Sequence, residues 1–94
     1  MTLANTAQPA TSQARTDAAL EELFNKTGID LSPLPPVIAP ERLAPEIGVT
    51  VGALAQDRYR NQGIPYIKLG RRVRYARADV ARYLMANRRA TVAG

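Results

Sequence analysis

Cysteine and histidine are both absent from the chain. Without cysteine there is no disulfide and no thiol nucleophile. Without histidine there is no imidazole base, and the common zinc ligand sets cannot be assembled. Aromatic residues make up only 5% of the sequence, so any core is small. No apolar run approaches the length of a membrane span. The opening stretch "MTLANTAQPATSQARTDAAL" lacks the basic start and apolar block of a secretory signal, and a cytoplasmic protein is the expectation. Catalysis would need clustered carboxylates, a lysine, or an activated serine or threonine. Asp57 and Asp79 stand isolated among arginines, and no glycine-rich phosphate loop or metal-ligand spacing is present. The expectation is no enzyme, no cofactor and no metal.

What the chain does have is positive charge, unevenly placed. Its 94 residues carry a net +5 and suffice for one small domain. Residues 1–46 hold Arg15, Lys26 and Arg42 against Asp17, Glu21, Glu22, Asp30, Glu41 and Glu46, a net −3. Residues 47–94 hold ten cations against Asp57 and Asp79, a net +8. A half-chain that basic favours a polyanionic partner.

Residues 1–15 show no periodicity and are expected to be disordered. From Thr16 the pattern changes. Thr16 or Asp17 can cap a helix of about residues 17–27, with Leu20, Leu23 and Phe24 on one face and Gly28 as the stop. That stripe must pack on this domain or on another molecule. Pro33, Pro35 and Pro36 then force extended backbone, so residues 29–36 read as a linker and residues 1–36 as an N-terminal arm. The domain proper is expected over 37–90, with 91–94 as a tail. Pro40 suits a helix first turn, Leu43, Ala44 and Ile47 give it an apolar face, and Gly48 ends it. Pro45 predicts a kink, or a helix reduced to two irregular turns. Thr50 can cap a second helix running to Asn61, a residue that tolerates the left-handed conformation. Two short helices around a glycine turn make a helix-turn-helix shape.

"YIKLGRRVRYARADV", residues 66–80, concentrates the cations. Ile67, Leu69, Val73 and Tyr75 alternate with polar positions, as strands do. A three-residue loop Gly70-Arg71-Arg72 would pair Leu69 with Val73 and Ile67 with Tyr75 on one face, whereas a two-residue loop would set Leu69 opposite Arg72. The three-residue register is therefore predicted. It places Lys68 opposite Arg74 and crowds Arg71 and Arg72 at the tip, a repulsion that a row of phosphates would relieve. A third helix, "ARADVARYLMANRR", follows with Val80, Tyr83 and Leu84 on its apolar face.

In the helix from Thr50, steps of 100° from a core-facing Leu54 put Val51, Asp57, Arg58 and Asn61 on the inner side. Gly52, Ala53, Gln56, Tyr59 and Arg60 point away. Small residues at a helix start let backbone approach a groove floor, glutamine can pair bidentately with adenine, and arginine with guanine or phosphate.

The order helix, turn, helix, proline-bounded hairpin, helix over residues 39–87 resembles the small winged helix-turn-helix proteins of the excisionase and AlpA type, relatives of the MerR DNA-binding domain. "PERLAPEIGVT", "GIPYIKLGRRVRY" and "ARADVARYL" carry the resemblance. It implies a mainly α fold with a two-stranded β-hairpin, preceded by a partly disordered N-terminal arm. It also implies that the helix from Thr50 enters the major groove of double-stranded DNA. The wing at Gly70, Arg71 and Arg72 would reach the neighbouring backbone or minor groove. The expected DNA-contacting set is Thr50, Val51, Gly52, Ala53, Gln56, Arg58 and Arg60 from the helix, and Lys68, Arg71, Arg72 and Arg74 from the hairpin. Such proteins act as recombination directionality factors beside a tyrosine recombinase, or as transcriptional regulators. A docking adaptor that does not bind DNA is the remaining alternative. Head-to-tail self-association along DNA, acidic arm against basic body, is a further expectation.

Overall fold

The structure is a computed structural model describing residues 3–89, with side chains from residue 13 onward. Four helices and three short strands follow one another: α1 (Leu3–Thr27), β1 (Val37–Ile38), α2 (Pro40–Ile47), α3 (Val51–Tyr59), β2 (Ile67–Leu69), β3 (Arg72–Ala76) and α4 (Arg77–Ala86). The molecule is thus mainly α with a small antiparallel sheet of order β1-β3-β2.

α1 is longer than the sequence pattern predicts. Residues 3–15, expected to be disordered, are helical. Alanine at positions 4, 7, 10 and 14 supplies helix propensity without an apolar stripe, so periodicity alone passes over it. The expected cap near Thr16 or Asp17 does not start the helix. Asp17 instead accepts a hydrogen bond from Gln13 Nε2 at 3.0 Å, a bridge spanning one continuing turn. At the other end the Gly28 N–H bonds the Phe24 carbonyl.

Leu20 and Leu23 are buried, and α1 packs against α4, where Val80 and Ala81 are buried too. Phe24, the third member of the stripe, stays half exposed. Leu31 and Leu34, within the proline-rich stretch, join the same core as Leu43, Leu54 and Ile64. Arg77 ties this stretch down by donating from its guanidinium to the carbonyls of Ser32 and Leu34. One hydrophobic cluster thus runs through residue 36, where a boundary is expected. Prolines set the backbone there, but Leu31 and Leu34 decide where it lies.

β1 is a strand that sequence reasoning missed. It pairs with the C-terminal half of β3, Val37 with Ala76 and Ile38 with Tyr75. The Arg77 N–H extends the ladder to the Pro36 carbonyl at 2.8 Å. Two residues are too few to show alternation, and the flanking prolines restrict the segment to an edge.

The hairpin register also differs from expectation. Ile67 pairs with Arg74, Lys68 with Val73 and Leu69 with Arg72, leaving a two-residue loop at Gly70-Arg71. Gly70 has φ +63° while Arg71 stays at negative φ, the pattern of a II′ turn, which wants glycine at its first central position. Glycine first thus selects the shorter loop. Faces follow from the register. Val73 and Tyr75 turn inward, Tyr75 being 1% exposed, whereas Ile67 and Leu69 lie on the outer face with Arg72 and Arg74. The predicted opposition of Lys68 and Arg74 does not occur, so repulsion across the ladder is not what the cations create.

α2 has Pro40 in its first turn, buries Leu43 and Ala44, and covers eight residues, about two turns, before Gly48 closes it. Pro45 lies inside and exposed, leaving the Glu41 carbonyl without its helical donor. α3 opens on Thr50, whose hydroxyl accepts the Ala53 N–H at 2.9 Å. It ends at Tyr59, two residues short of the predicted Asn61. Asn61 itself adopts φ +55°, and the Asn61 and Gln62 N–H groups return to the carbonyls of Arg58 and Asp57. That is a Schellman closure built on asparagine. In α4, Val80 is fully buried, and Tyr83 and Leu84 pack on the core. Among the described residues no helix is long and apolar enough to cross a membrane.

Candidate nucleic-acid interface

Leu54 is the buried residue of α3, and Asp57 and Arg58 beside it are partly covered. Gly52, Ala53, Gln56, Tyr59 and Arg60 are all exposed, Tyr59 at 88%. This agrees with the 100° stepping from Leu54, but Val51 and Asn61, stepped to the inner side, are exposed: each lies at or just past an end of the short helix, where no neighbouring element covers it. Thr50 is committed to capping, which orients the first turn of α3 and leaves its small residues uncovered.

The hairpin runs beside this helix. A crevice of about 280 Å³ lies between them, lined by Val51 and Arg58 of α3, by Arg71, Arg72 and Arg74 of the hairpin, and by Pro40 and Glu41 at the start of α2. Four guanidinium groups thus border one concave space against a single carboxylate. Among the described residues none of those four arginines is ion-paired; the ion pair present joins Arg82 to Asp79 on α4. Arg71 and Arg72 are exposed at the turn, and Arg74 is half buried, donating to the Val73 carbonyl at 2.8 Å.

Apart from the capping Thr50, the ten other candidate residues fall into separate groups. Val51, Arg58, Arg71, Arg72 and Arg74 share the crevice. Gly52, Ala53, Gln56 and Arg60 form the exposed side of α3 outside it, and Lys68 is exposed opposite Val73. Arg58 is the exception in kind. Its Nη1 donates to the Tyr75 hydroxyl at 2.6 Å, and its guanidinium lies 5.8 Å from the Tyr66 ring centroid and 5.9 Å from that of Tyr75. Sequence reasoning did not single out Tyr66 and Tyr75 as its partners. A signal was available: an arginine stepped onto the core side of a helix needs an acceptor or an aromatic face, and this segment supplies two tyrosines.

Chemically, the arrangement offers fixed cations beside an exposed polar helix face. It suits an extended polyanion better than a compact substrate. Among the described residues no group of three or more aspartate and glutamate side chains is placed to hold a metal ion. No protein-family model, curated protein or solved structure matches the chain.

Proposed function

We propose that the chain is a sequence-selective architectural protein for double-stranded DNA, read as a winged helix-turn-helix. α2 and α3 form the helix-turn-helix, the β2–β3 hairpin is the wing, and α3 is the helix offered to the major groove. In this reading it is an excisionase-type recombination directionality factor that binds and bends attachment-site DNA so that a tyrosine recombinase excises an integrated element. It has no catalytic role of its own. The observation that supports this best is the crevice between α3 and the hairpin, with four arginines and no ion pair among them. An AlpA-type transcriptional regulator would use the same surface, and the target site separates the two roles.

The test is binding to random duplex across a salt series. About six phosphate contacts give a slope of log K against log salt near −5. Replacing Arg71 and Arg72 together by alanine should weaken binding to all sequences alike and make the slope shallower by about 1–2. A flat response in the unmodified protein would remove the DNA reading and favour a docking adaptor.

A further inference from the structure

We propose that Arg58 is a positioning residue that fixes the separation of α3 from the hairpin, and is not one of the phosphate contacts. The inference rests on the DNA-binding reading above. Charge alone would group Arg58 with Arg71, Arg72 and Arg74, whose crevice it borders. Its surroundings set it apart. Tyr75 is a fully buried strand residue whose hydroxyl takes the Arg58 donor at 2.6 Å. The Tyr66 ring lies 5.8 Å from the guanidinium, whereas Tyr75 meets it at its hydroxyl end. The Tyr66 face carries negative quadrupole density and the Tyr75 oxygen supplies an acceptor, so the two offset part of the cation's charge before any phosphate arrives. Exposed Arg71 and Arg72 have no such company.

Geometry gives the link its consequence. Tyr75 sits on β3, next to Arg74 and three residues from Arg72. Tyr66 immediately precedes β2. One side chain from the last turn of α3 therefore reaches β3 and the residue that leads into β2. Phosphates on a duplex have fixed spacing, so a helix and a hairpin that engage it together gain from a preset separation. Holding them in place beforehand removes an ordering cost at binding. Removing the arginine would also orphan a buried hydroxyl.

Three variants decide it, each checked for native circular dichroism at the assay temperature and titrated with a mixed-sequence duplex of about 30 base pairs in a potassium chloride series. Tyr75→Phe keeps every charge and loses only the acceptor; it should weaken binding about three- to tenfold at unchanged salt slope. Arg58→Gln should weaken binding comparably, again with little change in slope. Arg71→Ala, the comparator, should make the slope shallower by about 0.9. If Arg58→Gln shifts the slope as Arg71→Ala does while Tyr75→Phe binds normally, Arg58 is a phosphate ligand and the inference is overturned. Amide hydrogen exchange without DNA reads the link itself: Tyr75→Phe should accelerate exchange across residues 67–76 and leave α1 and α4 unchanged. Unaltered exchange there also overturns it. A wild-type protein with a salt-independent or absent response removes the DNA reading and this role with it. Accelerated exchange in that case would show the link to be structural only.

Discussion

Two glycines provide a controlled experiment on how α3 is joined to the hairpin. Gly28 and Gly63 have nearly the same backbone, φ +82° and +87°. They differ in what a side chain would meet. A Cβ on Gly28 finds nothing within 4 Å, whereas a Cβ on Gly63 would stand 2.7 Å from the Asp57 Cβ and 2.8 Å from its Oδ2. Gly28→Ala therefore isolates the left-handed backbone cost, about 1 kcal/mol. Gly63→Ala adds a steric conflict with the last turn of α3, and must displace Asp57 or the 61–65 loop. Asp57 also accepts from Gln62 Nε2, so displacement disturbs that closure. Overpacking of this kind costs about 1–3 kcal/mol, giving about 2–4 kcal/mol in total. For a domain of this size, each kcal/mol lowers Tm by about 4–8 °C. Thermal melts of the two variants should thus separate by roughly 5–20 °C, Gly63→Ala the lower. Equal melting temperatures would refute the contact. If the packing of Asp57 on Gly63 sets the angle of the hairpin, Gly63→Ala should also weaken DNA binding, while Gly28→Ala should not.

Leu23→Ala, at a fully buried position of α1, should cost about 2–5 kcal/mol in denaturant unfolding. A cost near zero would show α1 to be a separate arm after all. Gln56→Ala should lose about 1–3 kcal/mol at a single base position in a competition series, and no loss at any base would return Gln56 to solvent. Asp30 takes hydrogen bonds from the Ser32 hydroxyl and the Ser32 N–H, which hold its carboxyl below the usual aspartate range. Its folded pKa being depressed, its contribution is complete above the unfolded value and fades as pH falls through the folded one. Ser32→Ala should therefore reduce the loss of stability on acidification below about pH 4; an unchanged acid limb would contradict that origin.

Much of the helical architecture was legible because its signals are local. Thr50 announces a cap, Gly48 and Asn61 announce stops, and Leu54 fixes which side of α3 is hidden. These depend on a few consecutive residues, and they hold. The failures share a different origin. Leu31 and Leu34 lie among prolines, so no period reveals that they are core; only packing against distant helices does. The hairpin misled because apolar alternation was trusted over turn chemistry. Gly70 at the first loop position specifies the short turn, and the strands follow it even though Ile67 and Leu69 then face outward beside arginines. Four of the five crevice-lining candidates carry positive charge and were found by charge. Arg58 shows the limit of that criterion, since its neighbours, not its charge, tell its part.

β3 uses both of its hydrogen-bonding rims, the first half of the strand against β2 and the second against β1. Each rim is thus taken over part of its length, the β2 side along Arg72, Val73 and Arg74 and the β1 side along Tyr75 and Ala76. A slip of one residue in this doubly held strand would trade Tyr75 for Arg74 inside the core, so the pairing that fixes its register also keeps its charges aimed outward.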